Sequence, residues 1–289
     1  MSWVITPSFT QWTPALISTA LWLDAADAST VFTDSGAVSQ WNDKSGNALT
    51  FTQTGSNRPA IGSNTLGGKN VLTFTAANFQ CLVGADSLNS VWTGSGWHLF
   101  AIARATTMTI PNSILTKIGD STQSENQRQL LWSMRDLGGI KASQLFTAYN
   151  LTATNFTTVR SEAILDNTYY LLNVSYDNTA GTVGATANTT ARVQHIVNGA
   201  QQSEVVTGSS GNLGAIQNGT ARLAIGASVG STGTVYSNPF GGDIAEIIAL
   251  PSVATADTRQ KTEGYLAHKW GLEANLPNDH PYKVNPPAP

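Results

Sequence analysis

Gly226-Ala227-Ser228-Val229-Gly230 has the G-x-S-x-G spacing that lifts a serine hydroxyl onto a sharp strand-to-helix turn in hydrolases. A strand can precede it, but Ser231-Thr232-Gly233-Thr234-Val235-Tyr236-Ser237-Asn238-Pro239 follows and has no helical pattern. Without its structural context the motif reads as a strand-end turn. Glycoside hydrolysis needs two carboxylates on one bond, about 5 Å apart for retention. Asp243 and Glu246 are the best pair on a strand pattern, and their odd spacing predicts opposite faces. Carboxylates meeting across strands are the remaining route to that chemistry. His98, His195, His268 and His280 do not fall at metal-ligand spacings, and no H-E-x-x-H string occurs. Thr65-Leu66-Gly67-Gly68-Lys69-Asn70 is no phosphate loop: Ser63 stands where the first glycine is required and Asn70 where Ser or Thr would hold magnesium.

The elements that must position these groups are strands. Of 289 residues only 11% are charged, against roughly a quarter in an average soluble chain. Much of the polar quota is Thr, Ser, Asn and Gln, and Thr suits a pleated strand. Short apolar runs recur between Gly, Asn, Asp and Pro, which points to an all-β sandwich or barrel. Clear runs are Leu21–Leu23, Asn70–Phe74, Trp97–Arg104, Asn112–Ile118, Tyr169–Tyr176, Arg192–Val197, Arg222–Ile225 and Gly242–Leu250. Leu172, Val174 and Tyr176 share one face by period two. Ile244 and Ile248 share one face with Glu246 between them, and Ala245, Ile247 and Ala249 the other. A single helix is predicted over about 256–270, with Thr255 or Asp257 as N-cap and Gly271 at the C-terminus. Its stripe is Thr262, Tyr265, Leu266 and Trp270. Thr179–Thr190 and Gly208–Gly219 read as loops.

Composition excludes several functions. The net charge of −3 argues against a basic nucleic-acid binder. No run of about 18 apolar residues is present, so no membrane insertion is expected. The start Met1–Pro7 lacks the pattern of a signal peptide. The one cysteine, Cys81, cannot form an internal disulfide.

Leu21-Trp22-Leu23-Asp24-Ala25-Ala26-Asp27-Ala28-Ser29-Thr30-Val31 and Val38-Ser39-Gln40-Trp41-Asn42-Asp43-Lys44-Ser45-Gly46-Asn47 resemble the start of a laminin-G-like, concanavalin-A-like jelly roll. Phe240-Gly241-Gly242-Asp243-Ile244-Ala245-Glu246-Ile247-Ile248, then Gly264–Leu272 and Leu276–Tyr282, are similar to a subgroup found in tailed-bacteriophage and bacterial surface proteins. The resemblance covers roughly residues 20 to 285. It implies two antiparallel sheets packed face to face, and it carries fold more than function. The E-x-D-x-x-E pattern of the family's glucanases is absent.

The resemblance also implies calcium, with Asp24, Asp27, Asp43 and Asn47 as candidate ligands. The competing reading is Asx-turn chemistry within loops. Trp92 and Trp132 are candidates for stacking on sugars, and Trp3, Phe9 and Trp12 for anchoring a partner. The division expected is an N-terminal arm over 1–18, a jelly-roll domain over 19–275 and a Pro-rich tail over 276–289. Residues 1 to about 18, or the Pro-rich tail, are expected to dock on a neighbouring subunit or the virion.

Together these readings predict a non-enzymatic phage structural protein, assembled in the bacterial cytoplasm and exposed on the virion exterior. A capsid decoration or head fibre is favoured, since no coiled-coil or β-helical shaft accompanies the domain. Its partners would be its own copies, capsid or tail proteins, and host-surface glycans. Alternatives are a tail-fibre receptor-binding component, a free carbohydrate-binding lectin and, last, a glycan-cleaving enzyme.

Overall fold

A computed structural model of the chain describes residues 11–119, 128–150, 154–185, 190–229, 233 and 236–289. Eighteen described strands join one antiparallel ladder that folds into two layers. One layer runs Leu21–Asp24, Gly242–Leu250, Gly96–Ala105, Tyr170–Asp177, Val193–Val197. The other runs Leu82–Val83, Ala224–Ile225, Asn112–Ile118, Arg128–Asp136, Lys141–Ala148, Phe156–Arg160, Val205–Ser210. Strands Ala37–Asn42, Thr50–Thr52, Ala60–Leu66 and Lys69–Phe74 carry the ladder from one layer to the other. This is the all-β jelly-roll sandwich with one C-terminal helix that the sequence predicts.

Period two builds the core between the layers. Leu172, Val174 and Tyr176 sit opposite Ala101, Leu99 and Trp97, and all six are buried. Tyr176 stacks on Trp97 at 5.2 Å, and Trp92 meets Trp97 edge-on at 5.7 Å. Each fully buried apolar side chain of this size contributes about 1.5–3 kcal/mol. From the second layer, Leu130, Trp132 and Met134 complete the core. The strands Arg128–Asp136, Lys141–Ala148 and Phe156–Arg160 are additions to the predicted set. Val205–Ser210 is also a strand, so the predicted loop over Gly208–Gly219 begins inside it.

The helix spans Ala256–Trp270. Thr255 Oγ1 accepts from Thr258 N at 3.2 Å, and Gly271 takes the left-handed conformation at φ +70°. The helix lies on the outer face of the first layer, where Asn173 Nδ2 donates to Glu263 Oε1 at 2.9 Å. The tail then folds back over the helix. His280 meets Glu263 Oε2 at 3.0 Å, and His268 Nε2 meets the Tyr282 carbonyl at 2.8 Å.

For Trp12 and the tail these contacts correct the expectation of a partner. The Pro-rich tail packs on this chain's own helix. Trp12, expected to anchor a partner, is buried against Tyr265 with ring centroids 6.1 Å apart, and its N–H donates to the Pro287 carbonyl. A large apolar ring two residues before Pro14 found its surface within the same domain. Trp3 and Phe9 lie outside the described residues.

Candidate functional site

The central strand Gly242–Leu250 organises two polar sites, and a bulge decides where they lie. Its pairing with Gly96–Ala105 shifts register between Ile244 and Glu246. Asp243 is opposite Arg104 and Glu246 opposite Ile102, two residues that share a face. The extra residue therefore cancels the odd spacing. Asp243 and Glu246 both point to the outer face, whereas the sequence pattern predicts opposite faces. Ile244 moves to the inner face, away from Ile248.

The shared face does not make a catalytic pair. Glu246 is sealed beneath the helix and accepts four bonds. Trp22 Nε1 (2.7 Å) and Tyr265 Oη (3.0 Å) reach Oε1; Lys269 Nζ (2.6 Å) and Trp270 Nε1 (2.7 Å) reach Oε2. Burial raises its pKa, and the Lys269 ammonium opposes that rise.

Asp243 instead forms the floor of an open pocket of about 320 Å³. The walls are Asn64, Thr73, Phe74, Thr75, Ala76, Arg104, Thr106, Gly241 and Gly242. Gly242, at φ +147°, brings the strand so close that a Cβ would stand 2.0 Å from the Arg104 carbonyl. Asp243 is fully buried and saturated. Oδ1 accepts from Thr73 Oγ1 (2.7 Å) and Asn64 Nδ2 (3.0 Å). Oδ2 accepts from Tyr169 Oη (2.6 Å), Arg104 Nε (2.8 Å) and Arg104 Nη2. Burial, together with the neighbouring carboxylate, pushes the Tyr169 hydroxyl well up, so it stays a donor. Arg104 also lies over the Tyr169 ring at 5.0 Å and gives Nη1–H to Asn167 Oδ1 at 2.9 Å.

The pocket is thus a rigid polar surface. Asn64, Thr73 and Arg104 are held from behind by Asp243. Of the five guanidinium N–H groups of Arg104, three are spent on Asp243 and Asn167. Asn64 keeps its Oδ1 acceptor, and Thr75 and Thr106 are exposed.

The other sequence candidates are placed elsewhere. Trp92 and Trp132 have no exposed surface, so neither presents a face to a sugar. Trp92 Nε1 donates to the Ser87 carbonyl and Trp132 Nε1 to Ser143 Oγ at 3.0 Å. Trp132 was legible as core, since Leu130, Trp132 and Met134 alternate on one face. Asp24 and Asp27 share Lys44, Asp43 and Asn47 share the Ser45 hydroxyl, and neither pair fits a calcium ion. Lys44 Nζ lies 2.9 Å from Asp24 and 2.7 Å from Asp27, and Lys269 Nζ 2.7 Å from Asp24. Hydrogen bonds from Lys44 and Ser29 hold the Asp27 pKa down to about 2. Asp43 accepts from the backbone N–H groups of Trp22 and Ser45 as an Asx turn, and Asn47 donates to the Ala20 carbonyl. Two ammonium groups supply the positive charge that a dication would bring. Among the described residues, no group of three or more His, Cys, Asp or Glu could hold a metal. Ser228 is buried and accepts from Asn238 Nδ2 at 3.2 Å, and its strand pairs with Tyr236–Ser237 rather than leading into a helix.

No family model matches the sequence, and no curated protein matches it. Solved structures match the fold. The binding domain of Paraclostridial mosquitocidal protein 1 superposes with TM-score 0.52 at 6% identity, over 82% of this chain and 50% of that one. The binding domain of botulinum neurotoxin serotype C1 gives 0.52 at 9% identity, over 83% and 50%. A structure of botulinum neurotoxin type C, whose cell entry depends on interaction with two ganglioside molecules, gives 0.50 at 10% identity, over 83% and 49%. The chain spans about half the length of these structures, and at these identities the likeness is one of fold.

Proposed function

We propose that the chain is a non-enzymatic glycan-binding jelly roll. The observation that carries this reading is the open pocket above Asp243. It presents fixed amide, hydroxyl and guanidinium groups from several strands, the kind of lining that matches sugar hydroxyls. The reading is non-enzymatic because both carboxylates of the central strand are fully engaged. Asp243 is held by an ion pair and Glu246 lies beneath the helix, so neither is placed to protonate or attack a glycosidic bond. The solved structures of similar fold include binding domains of protein toxins, one from a toxin whose cell entry depends on gangliosides, which agrees with the reading.

The finer part of the proposal is display on a virion exterior, as a head decoration that meets its own copies and capsid proteins. The phage-like C-terminal block and the charge-poor, Thr- and Asn-rich composition support it. Immobilised glycans probed with the purified chain test the binding function, and Asn64→Ala and Arg104→Ala test the pocket. Binding that falls with either substitution supports the reading. A folded chain that binds no glycan overturns it. Light scattering, together with addition to particles lacking the protein, tests the virion part. A monomer that ignores particles removes that part and leaves the glycan reading standing.

A further inference from the structure

The pocket also carries information about which glycans it takes, and this inference rests on the glycan reading above. We propose that it accepts an uncharged pyranose through its hydroxyls and discriminates against sialylated, uronic and sulfated residues.

The argument is one of charge and direction. Arg104 and Asp243 are the charged members of the lining, and they neutralise each other in a direct ion pair. The remaining polar walls, Asn64, Thr73, Thr75 and Thr106, are neutral. A guanidinium recognises a carboxylate best along one edge, through two parallel N–H groups. Here the Nε–Nη2 edge is turned inward onto Asp243 Oδ2. An anionic ligand would lose hydration without meeting an uncompensated cation, and that loss is costly. The chain as a whole, at −3, gives an anion no favourable long-range field.

Neutral sugars need the opposite provision. Each hydroxyl both donates and accepts, so it pairs best with a surface offering both. The two remaining N–H groups of Arg104 donate, Asn64 Oδ1 accepts, and the Thr75 and Thr106 hydroxyls do either. Asp243 locks the donors in place without touching solvent, which lowers the ordering cost of binding.

The test is a glycan array carrying neutral, sialylated, uronic and sulfated ligands, read at about 0.05 and 0.5 M NaCl. The expected result is binding of neutral ligands alone, unchanged by salt. Asn64→Ala and Thr106→Ala, each losing one contact at the rim, should weaken it about five- to tenfold. Asp243→Asn removes the counter-charge and frees the Arg104 fork, so a folded variant should gain anionic ligands in a salt-sensitive way. Binding of sialylated or sulfated ligands alone by the wild type, or affinity that falls steeply with salt, overturns this inference and leaves the glycan reading intact. Neutral binding untouched by both rim substitutions removes it from this pocket. No binding to any ligand overturns the inference and the glycan reading together.

Discussion

Gly264 in the C-terminal helix carries the side chain of Tyr282 directly against its backbone: a Cβ at position 264 would stand 2.5 Å from the Tyr282 Cβ. The tail therefore reads the helix surface at one residue. In an isolated helix Gly→Ala would gain about 1 kcal/mol. Here the overlap outweighs that gain, because neither backbone yields easily. Gly264→Ala should cost about 1–3 kcal/mol and lift the tail. Thermal unfolding and limited proteolysis at Lys283 measure both effects; a variant more stable than the wild type, with its tail still protected, would refute the contact.

Glu246 ties four donors from two elements into one carboxylate. Glu246→Gln keeps the volume but removes the charge that Lys269 faces and places an amide N–H among donors. The expected loss is about 3–5 kcal/mol in urea unfolding, the cost of breaking a buried pair by one partner. A loss below about 1 kcal/mol would show that Asp24 alone satisfies Lys269.

Burial holds His98 and His195 down to about 4, so both are neutral in the folded chain at neutral pH. Between pH 6.5 and 4 the unfolded chain binds protons there that the folded chain does not. The histidine contribution is therefore full above 6.5 and falls on acidification, by up to about 1.4 kcal/mol per pH unit per histidine. Burial pushes Glu204 the other way, to about 8, so its contribution falls as pH rises from 4.5 to 8. The urea midpoint should peak near pH 6.5. His98→Gln should flatten the acid limb and Glu204→Gln the alkaline limb; unaltered limbs in both variants would sink the assignment.

Trp12 is a core residue despite its place near the chain start. Trp12→Ala should cost about 3–5 kcal/mol by the cavity it leaves. Its oligomeric state by light scattering should match the wild type. A change of assembly without loss of stability would return Trp12 to the role of an anchor.

Much of the fold was legible because it rests on local chemistry. The helix and its Thr255 and Gly271 caps follow from spacing and composition, as does the face shared by Leu172, Val174 and Tyr176. The pocket was not legible in the same way. Asp243 gains Thr73 and Asn64 from one hairpin, Arg104 from the neighbouring strand Gly96–Ala105 and Tyr169 from just before the strand Tyr170–Asp177, contacts across 74 to 179 positions of sequence. A bulge at Ala245 leaves no signature in a strand that is apolar on both sides, so the shared face of Asp243 and Glu246 cannot be read from their spacing. The Asp24 and Asp27 carboxylates suggest a cation by type alone. That Lys44 and Lys269 supply it emerges only once the strand and helix are packed.

The hydrogen bond from Trp12 to Pro287 brings the two ends of the described chain together at 3.1 Å. A domain closed in this way behaves as a cassette. It can be spliced into a surface loop of a host protein with both connections leaving from one spot, and the host need not stretch to receive it. It can equally be circularly permuted, Trp12 and Pro287 joined by a short linker and new ends opened at the Gly138-Gly139 turn, where the hairpin between Arg128–Asp136 and Lys141–Ala148 is exposed.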